Sequence, residues 1–180
     1  MRALIVVSLL AVVSSAPASG LGQLPDVTKP GPAHRRLDPL VGAWDVSTRF
    51  GNGTGPERIG RARAQAIWTL DGRVLRHDFT AESGLVVMQL IGFDNQRGTY
   101  YVLRFDNLDT GLLHAEGSAF TDGRTISAVG DRVDPLTGKV APLRIVLTVV
   151  DSNHFNIEWY ARQQDGSELR TALLEHTRRR

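Results

Sequence analysis

From residue 42 onward, apolar and polar positions alternate in short runs, and turn-forming residues separate the runs at nearly even intervals. Leu143, Ile145, Leu147 and Val149 alternate with Arg144, Val146, Thr148 and Val150. Phe155, Ile157 and Trp159 alternate with Asn156, Glu158 and Tyr160, and Ala62, Ala64, Ala66 and Trp68 with Arg61, Arg63, Gln65 and Ile67. A period of two with one apolar face predicts strands of an antiparallel sheet that covers a single core. The breaks fall at residues 51–55, 71–72, 83–84, 95–98, 107–111, 122–123, 134–138, 151–153 and 164–166. They are rich in Asp, Asn and Gly, which supply the left-handed backbone that tight hairpins require. Nine breaks divide the chain into ten strands. Helical periodicity is nearly absent, and residues 34–40 predict one short helical turn stopped at Pro39.

Ten hairpin-linked strands leave two exposed edges unless the sheet closes on itself or splits into a sandwich. The even spacing and the lack of a long crossover favour closure. The predicted fold class is therefore all-β, an antiparallel up-and-down barrel of about ten strands preceded by a short helical turn. Barrels of this size often keep room for one small ligand.

The first residues change the picture of where such a barrel works. Arg2 precedes an apolar run over residues 3–13 broken only by Ser8, and Ala16-Pro17-Ala18 fits a small-x-small cleavage site. This predicts a signal peptide over residues 1–18, a linker over 19–33 rich in Gly and Pro, and one barrel domain over 34–180. The apolar run is too short to span a bilayer, and no later stretch is long enough. Export to the periplasm or medium follows, without a lipid anchor, because the chain has no cysteine. The same absence excludes disulfides, thiol nucleophiles and thiolate metal sites. The formal net charge is only +2, from 21 basic and 19 acidic residues, and the basic ones are scattered apart from the run at 178–180. Nucleic-acid binding needs a clustered basic face, so no such partner is expected.

Several motifs together resemble one family. They are the opening at residues 34–44 with its Gly42-Ala43-Trp44, then Leu70-Asp71-Gly72-Arg73, Gly92-Phe93-Asp94-Asn95 followed by Tyr100, and Asp106 with Thr110-Gly111. Residues 134–139, Arg144, Asp151, Glu158, Tyr160 and Thr177-Arg178 complete the pattern. In order and spacing they resemble DUF1579, bacterial domains without an assigned function. The Gly-x-Trp opening and the late basic residue are similar to the lipocalin and fatty-acid-binding superfamily. That resemblance implies a lipocalin-like barrel in which Gly42, Trp44 and Arg178 are structural, the tryptophan closing one end with a cation packed on it. The chain departs from the expected pattern before Asp106, where Arg104-Phe105 stands in place of a tryptophan.

Candidate chemistry is sparse. The five histidines, His34, His77, His114, His154 and His176, fall on different segments without ligand spacing, so neither a metal nor a cofactor is expected. His77 shares an inward-looking face with Leu75, Phe79 and Ala81, as a hydrogen-bonded core residue or as a site residue. Across the turn at 151–153 the strands pair with residue numbers summing to about 304, so Arg144 opposes Tyr160 and lies diagonal to Glu158. The trio is either an exterior cross-strand cluster or an interior set that orients a ligand. Ala62, Ala64 and Ala66 suggest open space along one inner wall, whereas Trp68, Phe79, Phe155 and Trp159 suggest filling. No nucleophile elbow, zinc-protease motif or phosphate loop occurs. The leading expectation is an exported binding protein for a small, mostly apolar molecule held inside the barrel. An enzyme with His77, Asp106 or Glu158 as general base, and a filled structural barrel, remain as alternatives.

Overall fold

The ten alternating runs form ten antiparallel strands: β1 Gly42–Phe50, β2 Arg58–Thr69, β3 Val74–Ala81, β4 Val86–Asp94, β5 Thr99–Asp106, β6 Leu113–Ala119, β7 Thr125–Val133, β8 Val140–Asp151, β9 His154–Arg162 and β10 Glu168–Arg178. The computed structural model describes residues 26–51, 55–119, 122–133, 138–163 and 165–180. The expected signal peptide lies outside the described residues. Each strand pairs with its neighbours in sequence, and β1 pairs with β10 to close the barrel, so no edge is left open. The β8–β9 register is the expected one, with Arg144 opposite Tyr160 and Leu147 opposite Ile157.

The inner face carries one core. The alanine stripe on β2 is small because its neighbours are large. Ala64 lies between Trp44 on β1 and Phe79 on β3, and Ala66 lies beside His77. Ala62, Ala64 and Ala66 are all buried within the core cluster, so that wall is packed. Matching small residues to large ones across strands fills this part of the lumen.

A plug seals one end of the barrel. It comprises the helix α1, Pro32–Arg35, and short 3₁₀ turns at Asp26–Thr28 and Asp38–Leu40. Leu37 and Leu40 are fully buried. Pro at the start of each of the last two helical pieces suits a position whose N–H would have no partner. Hydrogen bonds tie the plug to the strands. Trp68 Nε1 donates to Asp38 at 2.8 Å and Tyr100 Oη donates to the Ala33 carbonyl at 2.9 Å. Upstream, Asn95 Nδ2 donates to the carbonyls of Val27 and Lys29 at 3.0 and 2.8 Å, so residues read as linker are already held to the barrel.

Trp44, Arg178 and Gly42 meet under the plug. Trp44 is fully buried, donates from Nε1 to the Leu40 carbonyl at 2.8 Å and packs edge-on against Phe155. The Arg178 guanidinium lies 4.1 Å from the Trp44 ring centroid. It donates to the carbonyls of Val41, Pro39 and Ser152 at 2.7–2.8 Å. Those carbonyls belong to the plug and to the β8–β9 turn, so one cation satisfies acceptors from separate segments. Gly42 has φ +136°, and a Cβ there would collide with Arg178 Nη1. Only glycine fits that conformation and that space.

Candidate functional site at the open barrel mouth

At the end opposite the plug, the described residues leave a cavity. On β5 the inward parity set by Tyr100 and Val102 continues through Arg104 and Asp106. On β7 the parity of Ile126 and Ala128 continues through Gly130 to Arg132. Two strands thus carry charge inward at the mouth, and the loop after β5 adds Asp109. These residues line a cavity of about 290 Å³ whose floor is apolar, formed by Phe50, Phe79, Leu113, Trp159, Ala172 and Leu174.

The charges are mutually satisfied. Arg104 donates from Nε to Asp106 Oδ2 at 3.1 Å, and its Nη2 stands 3.1 Å from the same oxygen. The Arg104 side chain is only 17% exposed, and its guanidinium lies 4.9 Å from the Trp159 ring centroid. Burial pulls its pKa down, opposed by Asp106. Arg132 Nη2 donates to Asp109 Oδ2 at 2.9 Å, and Gly111 N–H donates to Oδ1 at 2.7 Å. The Arg132 bond and then the Gly111 N–H hold the Asp109 carboxyl below the usual range, so it is anionic at neutral pH. The result is a concave site with an apolar floor, a half-buried indole with a cation over its ring, and a polar rim of matched charges. Binding pockets for small molecules share this composition, an apolar lining with sparse convergent polar groups.

A family model for DUF1579, described as a protein of unknown function, matches residues 29–179. The chain belongs to the DUF1579 family. The crystal structure of Rv2717c from M. tuberculosis is similar to this DUF1579 chain with a TM-score of 0.57 and 14% identity, covering 84% of this chain and 100% of the other. At that identity the likeness bears on the fold alone. No curated protein matches the sequence.

In this DUF1579 barrel the residues singled out from sequence fall in three places. Asp106 reaches the mouth cavity, already paired with Arg104. His77 points inward but lies in the sealed core, 2% exposed, with its ring centroid 5.3 Å from that of His176. His176 stacks on Phe155 at 3.9 Å. Neither ring nitrogen of His77, nor Nε2 of His176, has a hydrogen-bond partner in good geometry. Desolvation lowers the pKa of His77 from 6.5 to about 4, the cross-strand Gln89 opposing it, and desolvation takes His176 well below its usual value. Both are neutral at pH 7 and out of reach of a substrate in the cavity. Arg144, Glu158 and Tyr160 lie on the face opposite the core residues Ile145, Ile157 and Trp159, on the outer wall. There Arg144 pairs with Glu168 and sits 4.3 Å from the Tyr160 ring centroid, while Tyr160 Oη donates to Glu158 at 2.9 Å. The trio forms a cluster, but away from the cavity.

Arg104, Arg132 and Asp109 were not singled out from sequence for a site. A signal existed in the strand parity, since a charged residue that continues an apolar inward face must be buried or meet a cavity. Among the described residues, no group of three or more histidines and carboxylates is placed to hold a metal ion, and no helix is long and apolar enough to cross a membrane.

Proposed function

We propose that the protein is exported and binds a small, mostly apolar molecule at the open mouth of its barrel. The observation that carries this reading is the cavity of about 290 Å³, open at one end and floored by aromatic and aliphatic side chains. It lies at the lower edge of the range for small-molecule pockets, roughly 300–1,000 Å³. The plugged end and the packed alanine wall leave the mouth as the place where an apolar body exchanges water for Trp159, Phe79 and Leu174.

Two alanine substitutions separate this reading from a filled barrel. The neutral probe N-phenyl-1-naphthylamine should bind the wild type with enhanced fluorescence. Ala172→Phe, on the cavity floor between Phe50 and Trp159, should abolish that binding at a stability cost no larger than about 1–3 kcal/mol, leaving the protein folded. Ala64→Phe should over-pack the wall between Trp44 and Phe79, costing about 1–3 kcal/mol, yet leave probe binding intact. Equal binding by wild type and Ala172→Phe rules out the mouth cavity as the site. Export carries its own test. The secreted chain should begin at Ser19, and N-terminal sequencing that finds Met1 on the exported protein contradicts it.

A further inference from the structure

Whatever enters the mouth meets the polar groups described at its rim. Among the described residues that line the cavity, the charged groups are Arg104, Asp106, Asp109 and Arg132. Two cations and two anions sum to zero. They are also linked, because Arg132 and Asp109 lie close enough to act electrostatically on Arg104. Each arginine is already engaged by a carboxylate, and Asp106 and Asp109 also accept the N–H groups of Leu108 and Gly111 at 3.1 and 2.7 Å. The four groups form a preorganised array of donors and acceptors, not a patch of one sign.

Such an array discriminates among ligand head groups. A carboxylate that accepts from either guanidinium must lie beside the Asp106 or Asp109 carboxylate already held there. An ammonium that donates to either carboxylate must likewise lie beside a guanidinium. Like charges brought together at a partly desolvated site oppose binding of either ion. An uncharged group that both donates and accepts hydrogen bonds breaks no pair: its carbonyl accepts from a guanidinium and its N–H donates to a carboxylate. Resting on the binding function proposed above, we propose that the ligand is an apolar body carrying a neutral amide-type head group, with the body on Trp159 and the head at the Arg104–Asp106 and Arg132–Asp109 pairs.

The proposal is tested by calorimetric titration of the full protein at pH 7 with octanamide, octanoate and octylamine, which share a tail and differ in head charge. Octanamide should bind at least about tenfold more tightly than either ion. Removing one charge should then redirect the preference. Asp109→Asn, which leaves a net positive rim, should raise octanoate affinity relative to octanamide by about tenfold. Arg132→Gln should do the same for octylamine. Both positions are at the rim, and an unchanged circular dichroism spectrum with a cooperative thermal transition shows that each variant is folded. Octanoate or octylamine binding the wild type as well as octanamide overturns the head-group assignment. So does an order of preference that neither substitution changes, or no binding by any of the three. If N-phenyl-1-naphthylamine binds and Ala172→Phe blocks it, the binding function survives such a result. If the probe fails as well, both fall.

Discussion

Trp44→Ala should lower the unfolding free energy by about 3–5 kcal/mol. Trp44 is wholly buried, stacks edge-on with Phe155 and hydrogen-bonds the Leu40 carbonyl. Truncation opens a cavity beneath the plug and removes the ring on which Arg178 rests, and it leaves the Leu40 carbonyl without a partner. Because residues 33–41 of the plug are tied to the strands through Trp44, Arg178, Trp68 and Tyr100, release of that part should accompany the loss. Urea denaturation measures the first effect. Hydrogen exchange at residues 32–41 measures the second, and it should rise there before it rises in β4 or β5. An unchanged midpoint would mean that the plug does not depend on this ring.

Acid should destabilise the protein well before its carboxylates titrate. His77 is depressed from 6.5 to about 4 because its imidazole is desolvated, and His176 is depressed in the same direction by burial and by His77. Between those two values the unfolded chain binds a proton that the folded chain refuses. Their contribution to stability is therefore fully present above pH 6.5 and is lost as the pH falls towards 4. At about 1.4 kcal/mol per pH unit, His77 alone accounts for roughly 3 kcal/mol over that window. The depressed carboxyls, such as Asp109 and Asp151, act in the same sense but at lower pH, below their unfolded value of 3.8. Denaturation curves at pH 7 and 4.5 separate the two windows. His77→Leu should remove much of the slope between them, at a cost at pH 7 limited to its contact with the cross-strand Gln89. A slope that survives in His77→Leu would place its origin elsewhere.

The barrel itself was readable from local chemistry. Turn residues mark every hairpin, and a period of two gives each strand its inner face, so strand number and the β8–β9 register follow from neighbours in sequence. The condition of the lumen depends on partners that are far apart in the chain. Ala62, Ala64 and Ala66 read as space because nothing local reveals that β1 brings Trp44 and β3 brings Phe79 against them. Arg144, Glu158 and Tyr160 stood together on one face by register, but which face is inner is decided by closure of the whole sheet. The mouth charges were visible by parity on β5 and β7. Arg104 drew notice only as a departure from an expected tryptophan, yet it lies against a different tryptophan, Trp159, contributed by β9. Pairings across the lumen, unlike those along a hairpin, leave no trace in sequence spacing.

Three tryptophans give the most direct test of the binding account. Trp44 lies under the plug, Trp68 donates to Asp38 at the sealed end, and Trp159 alone forms part of the mouth cavity. Their indole N–H groups give separate signals in a nitrogen-15 correlation spectrum. Titration with N-phenyl-1-naphthylamine should shift the Trp159 signal in a saturable manner and leave those of Trp44 and Trp68 in place. Saturable shifts confined to Trp44 or Trp68, or no shift at Trp159 at saturation, would contradict binding at the open mouth.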